Sequence, residues 1–194
     1  MKKLLIIIVT AITVMQLTAW EATWHENDAY HQMTWEEERK YLNEYPEHLR
    51  EFVEEICREY LVPIKYLYRL HFIESKLGTM NIRYESNGTM SLGYGQLNTG
   101  SMKYFQNRFN NGRHFNPHND RDNIRISAMY LRDLYERLDG DWIGSACAYN
   151  WGIGNFRSGK EVPLQCIEYG FTVVWGTDYI DCVQIIKGAV RGIL

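Results

Sequence analysis

The chain has 194 residues, about one domain's worth. With 45% hydrophobic, 14% aromatic and 23% charged residues, it is neither a disordered nor a collagen-like chain. A formal net charge of -3 supplies no basic field for a phosphate backbone, so nucleic acid is not an expected partner.

Met1-Lys2-Lys3 precedes an apolar run from Leu4 to Leu17 that is interrupted only by Thr10, Thr13 and Gln16 and is followed by Thr18-Ala19. This is a signal-peptide pattern over residues 1–19, and the apolar stretch falls short of the roughly 20 residues that comfortably span a bilayer. Leu17 stands three residues before a cut after Ala19, where a small residue is usual, so an uncleaved membrane anchor through residues 4–19 is the alternative. Either way export to the periplasm or cell envelope is expected. Cleavage would leave 19 basic against 24 acidic groups. Residues 20–48 read as an N-terminal helical extension and residues 49–194 as the main domain.

Mainly helical structure follows. Thr34-Trp35-Glu36-Glu37 is a capping-box pattern, and Pro46 suits the first turn of a helix with Leu49, Phe52, Val53, Ile56 and Tyr60 on one face. Pro63 restarts a helix in which Ile64, Leu67, Tyr68, His71, Glu74 and Ser75 share a stripe, and Gly78 marks its stop. Residues 78–97 hold Gly and Asn without helical periodicity, which predicts loops or a short hairpin at Asn87-Gly88. A helix from about Thr99 carries Met102, Phe105 and Phe109. The next presents Ile124, Ala128, Leu131 and Leu134 to a core and Arg132, Asp133, Glu136 and Arg137 to solvent. Asp141 caps a helix ending at Gly152, and a last helix is expected from about Asp178.

Cys57, Cys147, Cys166 and Cys182 form no C-x-x-C pair, so zinc is not supported. Cys166 with Cys182 closes the shortest loop and is the favoured pairing, with free thiols the alternative. His114 and His118 stand four apart with Asp120 nearby, but no third His is placed to complete a metal site, so neither metal nor cofactor is expected.

Glu74 is the candidate for chemistry, against the alternative of a helix-end Glu that bends out to water. A carboxyl among Phe72, Ile73 and Leu77 loses solvation, which favours its protonated form and suits a general acid. If it lies beneath Tyr68, His71 and Tyr149, its pKa should exceed the ordinary glutamate value, and a protonated His71 would oppose that shift. Activity should then fall as pH rises.

Five segments in order point to a family: Glu74-Ser75, Gly93-Tyr94-Gly95-Gln96-Leu97, Asp122-Asn123-Ile124 with Tyr130-Leu131, Ala148-Tyr149-Asn150-Trp151-Gly152, and Tyr179-Ile180 with Val183. From about Leu49 to Gly188 the chain resembles the soluble-type lytic transglycosylases of the goose-type-lysozyme-like kind. The resemblance implies a mainly α, lysozyme-like helical domain with a small loop or hairpin region lining a substrate cleft. It implies Glu74 as the sole catalytic acid, Ser75 beside it orienting sugar or acid, and Gln96, Tyr149, Asn150 and Tyr179 as substrate-binding residues. Gly93 and Gly95 would let backbone approach a ligand closely. The implied partner is peptidoglycan glycan strands, met as a monomer. The implied reaction is cleavage of the β-1,4 bond between N-acetylmuramic acid and N-acetylglucosamine with formation of 1,6-anhydro ends.

Three departures stand out. The family's Gly-Leu-Met-Gln is Gly93-Tyr94-Gly95-Gln96 here, Asn98-Thr99-Gly100 replaces a Pro-containing stretch, and Pro63 follows Val62 where a capping Asp is common. The alternatives are a hydrolytic lysozyme, with Glu85, Asp120 or Asp122 activating water, and a non-catalytic wall-binding module.

Overall fold

The computed structural model describes residues 35–176, with side chains from Glu38 onward. Within this span the chain is mainly helical: α1 (Trp35–Asn43), α2 (Glu47–Tyr60), α3 (Ile64–Ser75), α4 (Met102–Phe109), α5 (Asp120–Arg137), α6 (Trp142–Trp151), α7 (Ile153–Phe156) and α8 (Leu164–Trp175). A small sheet of β1 (Ile82–Tyr84), β2 (Met90–Leu92) and β3 (Leu97–Asn98) lies between α3 and α4 in sequence. Its order is β1-β2-β3, antiparallel throughout, with Arg83 opposite Ser91 and Ser91 opposite Asn98. The Asn87-Gly88 hairpin is the one the sequence predicts: Gly88 adopts φ +80°, and Asn87 accepts hydrogen bonds from Thr89.

Helix α5 organises the core because it is buried on two sides. Ile124, Ala128 and Leu131 pack with Leu49, Val53, Leu67 and Leu70 of α2 and α3, while Ile126, Tyr130 and Leu134 pack with Phe105, Phe115 and Ala148. Asp133 therefore does not lie on a solvated face as its charged neighbours suggest. It is 5% exposed and is paired with Arg108 at 2.5 Å and Arg137 at 3.3 Å. Leu42 and Tyr45, from the stretch read as an extension before residue 49, belong to the same core as α2 and α3.

The weak point at the start of α3 is repaired from a distance. Pro63 offers no side-chain cap, but the Oε2 of Glu38, on α1, accepts a hydrogen bond of 2.9 Å from the backbone N–H of Ile64. A buried acceptor thus satisfies one of the donors that the first turn of a helix leaves unpaired. Glu38 is 3% exposed and burial raises its pKa, so part of its acceptor role needs no charge.

Helix α8 is absent from the sequence expectation, which places a last helix from Asp178, outside the described residues. It runs after Pro163 and approaches α6 closely at Gly170, where a Cβ would stand 2.6 Å from the Cys147 sulfur and 2.7 Å from the Ile143 carbonyl oxygen. Cys166, favoured for pairing with Cys182, is a free thiol that donates to the Asn150 side-chain oxygen at 3.4 Å. Cys182 lies outside the described residues.

Glu38→Ala should lower the free energy of unfolding by about 1–2 kcal/mol, as lost helix caps do, and Glu38→Gln, which keeps an acceptor, by less. Urea denaturation of the two variants beside the parent checks this order.

Candidate active site

Glu74 is the second-last residue of α3, and the way that helix ends decides where the carboxyl sits. Lys76, Leu77 and Gly78 are all left-handed, with φ of +52°, +54° and +82°. Two of these are not glycine, a strained ending that is held in place by hydrogen bonds. The Ser75 Oγ accepts from the Gly78 N–H at 2.9 Å and donates to the Tyr94 carbonyl at 2.9 Å, with the His71 carbonyl 3.1 Å away. Ser75 is fully buried, so its hydroxyl ties the helix end to the Gly93–Gln96 turn. Gly78 lies against the Tyr94 ring, where a Cβ would stand 2.7 Å from a ring carbon.

The helix stops at the wall of a cleft of about 450 Å³. Glu74 faces Arg83, Glu85 and Ser91 of the sheet region there, with Gln96, Tyr149 and Asn150 also on the walls. The Glu74 side chain is only 6% exposed. The Tyr169 hydroxyl donates to its Oε1 at 2.6 Å, and the Arg83 Nη1 lies 3.6 Å from its Oε2. Burial pushes the Glu74 carboxyl above the ordinary glutamate value, and the Tyr169 bond and the Arg83 charge pull it only part of the way back. Burial and the neighbouring Glu74 push the Tyr169 phenol well up, so it stays protonated as a donor.

Four of the expected residues, Glu74, Gln96, Tyr149 and Asn150, line this cleft together. Tyr149 donates to the Gly95 carbonyl at 2.8 Å, and Gln96 donates through Nε2 to the carbonyls of Gly93 and Met80 at 2.9 and 3.1 Å. Ser75 and Gly93 stand behind the walls. At the two glycines the backbone packs tightly on protein: a Cβ on Gly93 would lie 2.2 Å from the Asn123 amide nitrogen, and one on Gly95 2.6 Å from the Tyr149 hydroxyl. Asn123, fully buried, clamps this turn by accepting from the Gly95 N–H at 2.8 Å and donating to Leu92 and Pro117 carbonyls at 2.7 and 2.9 Å. Tyr179 lies outside the described residues. The phenol on the acid is that of Tyr169, which the sequence reading passes over, although Cys166, Tyr169, Gly170, Val173 and Val174 repeat at helical spacing after Pro163. Arg83 is also missed, because nothing in its loop-like neighbourhood marks it.

His71 does not act on Glu74 through charge. It is fully buried one turn back, between the Tyr45 hydroxyl at 2.9 Å from Nδ1 and the Ser127 Oγ at 2.7 Å from Nε2. Ser127 donates its own proton to the Ile124 carbonyl at 2.9 Å. The consistent assignment is therefore a neutral ring with its proton on Nε2 and Nδ1 accepting from Tyr45. Burial lowers the His71 pKa to about 3. Tyr68 stacks against Phe72 and meets Tyr41 at a tilt, so among the described residues the phenols beside the acid are those of Tyr169 and Tyr149.

A helical domain with one buried carboxyl at the end of a helix, facing a three-stranded sheet across a cleft, defines the lysozyme-like class. Residues 51–162 match the family described as the transglycosylase SLT domain, and the chain belongs to that family. Among solved structures, an inactive mutant of the lytic transglycosylase Slt from Pseudomonas aeruginosa matches with a TM-score of 0.51 and 18% identity over 66% of this chain. The chain spans 23% of that protein's length. No curated protein matches.

Between the unfolded-state value of about 6.5 and about pH 3, the unfolded chain binds a proton at His71 that the folded state refuses. Stability should therefore decline as pH falls through this window. In His71→Gln the decline from pH 7 to 4, followed as the urea midpoint, should be shallower than in the parent.

Proposed function

We propose that this domain is a lytic transglycosylase that cleaves the β-1,4 bond between N-acetylmuramic acid and N-acetylglucosamine in peptidoglycan and leaves a 1,6-anhydro end. The observation that carries the reading is the desolvated Glu74 carboxyl, 6% exposed at the wall of a polar cleft. A carboxyl kept protonated by burial is suited to donate to a glycosidic oxygen. Proton transfer from Glu74 releases the leaving sugar as the bond from C1 to the bridging oxygen breaks, and the 2-acetamido group of the muramic sugar stabilises the cation. The Glu74 carboxylate then takes the proton of the 6-hydroxyl as O6 bonds to C1. Protons balance, no water enters, and the acid returns to its starting state.

The remaining groups agree with this reading. Tyr169 stays on Oε1 in both protonation states, which leaves Oε2 for the travelling proton. Gln96, Asn150 and the exposed side of Tyr149 present the donors and acceptors that hydroxyl and acetamido groups require. The other acid of the cleft, Glu85, is ill suited to activating water. Hydrogen bonds from Ser91 at 2.5 Å and Arg83 at 3.0 Å converge on its Oε1 and hold it below the ordinary carboxylate range, which makes it a weak base. Asp120 and Asp122 do not line the cleft. The matched Pseudomonas aeruginosa structure is described as an inactive glutamate-to-glutamine mutant, in keeping with a glutamate acid. Peptidoglycan lies outside the cytoplasmic membrane, so the reading includes export directed by residues 1–19.

Glu74→Gln should reduce release of fragments from purified peptidoglycan by a hundredfold or more, on the order expected for a lost acid–base catalyst. Activity within a few fold of the parent would overturn the assignment. Mass spectrometry of the parent's products should show anhydro ends, and ends one water heavier would assign hydrolysis instead. The parent's rate should fall as pH rises through the raised pKa of Glu74, since only the protonated form donates.

A further inference from the structure

The sheet brings to the acid a charged group that the proposed reaction, as described so far, leaves without a task. Ser91 on β2 bonds Glu85 at 2.5 Å, Glu85 bonds the Arg83 Nε at 3.0 Å, and the Arg83 Nη1 reaches to 3.6 Å from the Glu74 Oε2. The sheet register supports this chain, because Arg83 pairs with Ser91 across β1 and β2. Arg83 is therefore anchored at one end of its guanidinium and offers the other to the acid. Of the described residues lining the cleft it alone is cationic. Its contact falls on Oε2, the oxygen that Tyr169 leaves free.

We propose that Arg83, held in place by Glu85 and Ser91, is a positioning residue for the acid: it stabilises the Glu74 carboxylate that remains once the proton has passed to the leaving oxygen. The inference deepens the proposed function and rests on it for its role in turnover. Burial alone creates a difficulty, for the apolar surroundings that keep the acid protonated also oppose the anion it must become. Tyr169 offsets part of this on Oε1 with a neutral hydrogen bond. Arg83 adds a full charge on Oε2, at the separation of a loose ion pair. Its side chain is 54% exposed, so solvent screens the charge, and burial still holds the Glu74 carboxyl above the ordinary glutamate value. Among the described residues the groups that face Glu74 are Arg83 and Glu85 from the sheet region, Tyr169 from α8 and Tyr149 from α6, while His71 behind it is neutral. Of these only Arg83 carries positive charge. Glu85 works in two ways, opposing the Glu74 anion weakly at a distance and fixing the cation that favours it.

The test is the titration of the Glu74 side-chain carboxyl in the substrate-free protein by carbon NMR, its signal identified by its loss in Glu74→Gln. Removing an opposite charge within reach raises a carboxyl's pKa, and for this screened pair the expected rise in Arg83→Gln is about half to one unit. Arg83→Lys, which keeps the charge, should return most of the way to the parent. In turnover, the alkaline limb of kcat should move up by the same interval, and the low-pH plateau of kcat should fall by up to about tenfold, since a weaker acid donates less readily. A Glu74 titration in Arg83→Gln that superimposes on the parent's overturns the proposal, as does a Lys variant that titrates like the Gln variant. Because the titration needs no substrate, it decides on Arg83 even if the parent releases nothing from peptidoglycan, which would instead overturn the proposed function.

Discussion

The proposed reaction asks that water be kept from the Glu74 carboxyl, and the fold does this by ending a helix one residue after it. The turn at Ser75–Gly78 is forced into left-handed backbone, and what holds it is the Ser75 hydroxyl, which joins the helix end to the Tyr94 carbonyl. From this junction much of the site follows. Tyr94 fixes the turn that carries Gln96, Asn123 clamps the same turn from α5, and Tyr149 ties it to α6. Replacing the Ser75 hydroxyl would remove contacts to three backbone groups at once, and the carboxyl would lose its shelter without being touched.

The polar groups around the acid divide into two kinds. Ser75, His71, Ser127 and Asn123 are fully buried with their bonds directed to other protein groups, and they give the cleft its shape. Gln96, Tyr149, Asn150, Arg83 and Glu85 face the cleft, and their bonds to the protein leave part of each side chain turned outward. Buried polar groups that are fully paired specify one arrangement because any shift would strand a donor or an acceptor. The inner set is thus a scaffold of hydrogen bonds for the outer one.

Much of this was readable in the sequence because the information was local. The stripe of Ile64, Leu67, His71 and Glu74 predicts both a buried helix and an acid at its end, Asn87-Gly88 predicts the hairpin, and Asp141 predicts a cap that it makes with the Gly144 N–H. What escaped depends on contacts far apart in the chain. Glu38 caps α3 from 26 residues away, and no pattern around Pro63 points to it. Arg83 gains its meaning from a β-bridge to Ser91. Asp133 looks solvated by its neighbours and is buried because α4 covers it with Arg108. Tyr169 is a different case: its helical stripe is present in the sequence, but Gly170, Thr172, Val173 and Val174 are weak helix formers, and tertiary packing on α6 overrides that preference.

The contact between α6 and α8 couples the cleft to helix packing at Gly170. With hydrogen in place of a side chain at Gly170, α8 rests directly on the Cys147 sulfur and the Ile143 carbonyl. Tyr169 is the residue just before it, so the depth to which its phenol reaches toward Glu74 is gauged by that spacing. A single methyl at Gly170 would act as a shim between two helices, lifting one wall of the acid's enclosure by a fraction of its own thickness. The distance between two helix axes is therefore as much a part of the acid's environment as any atom that touches it.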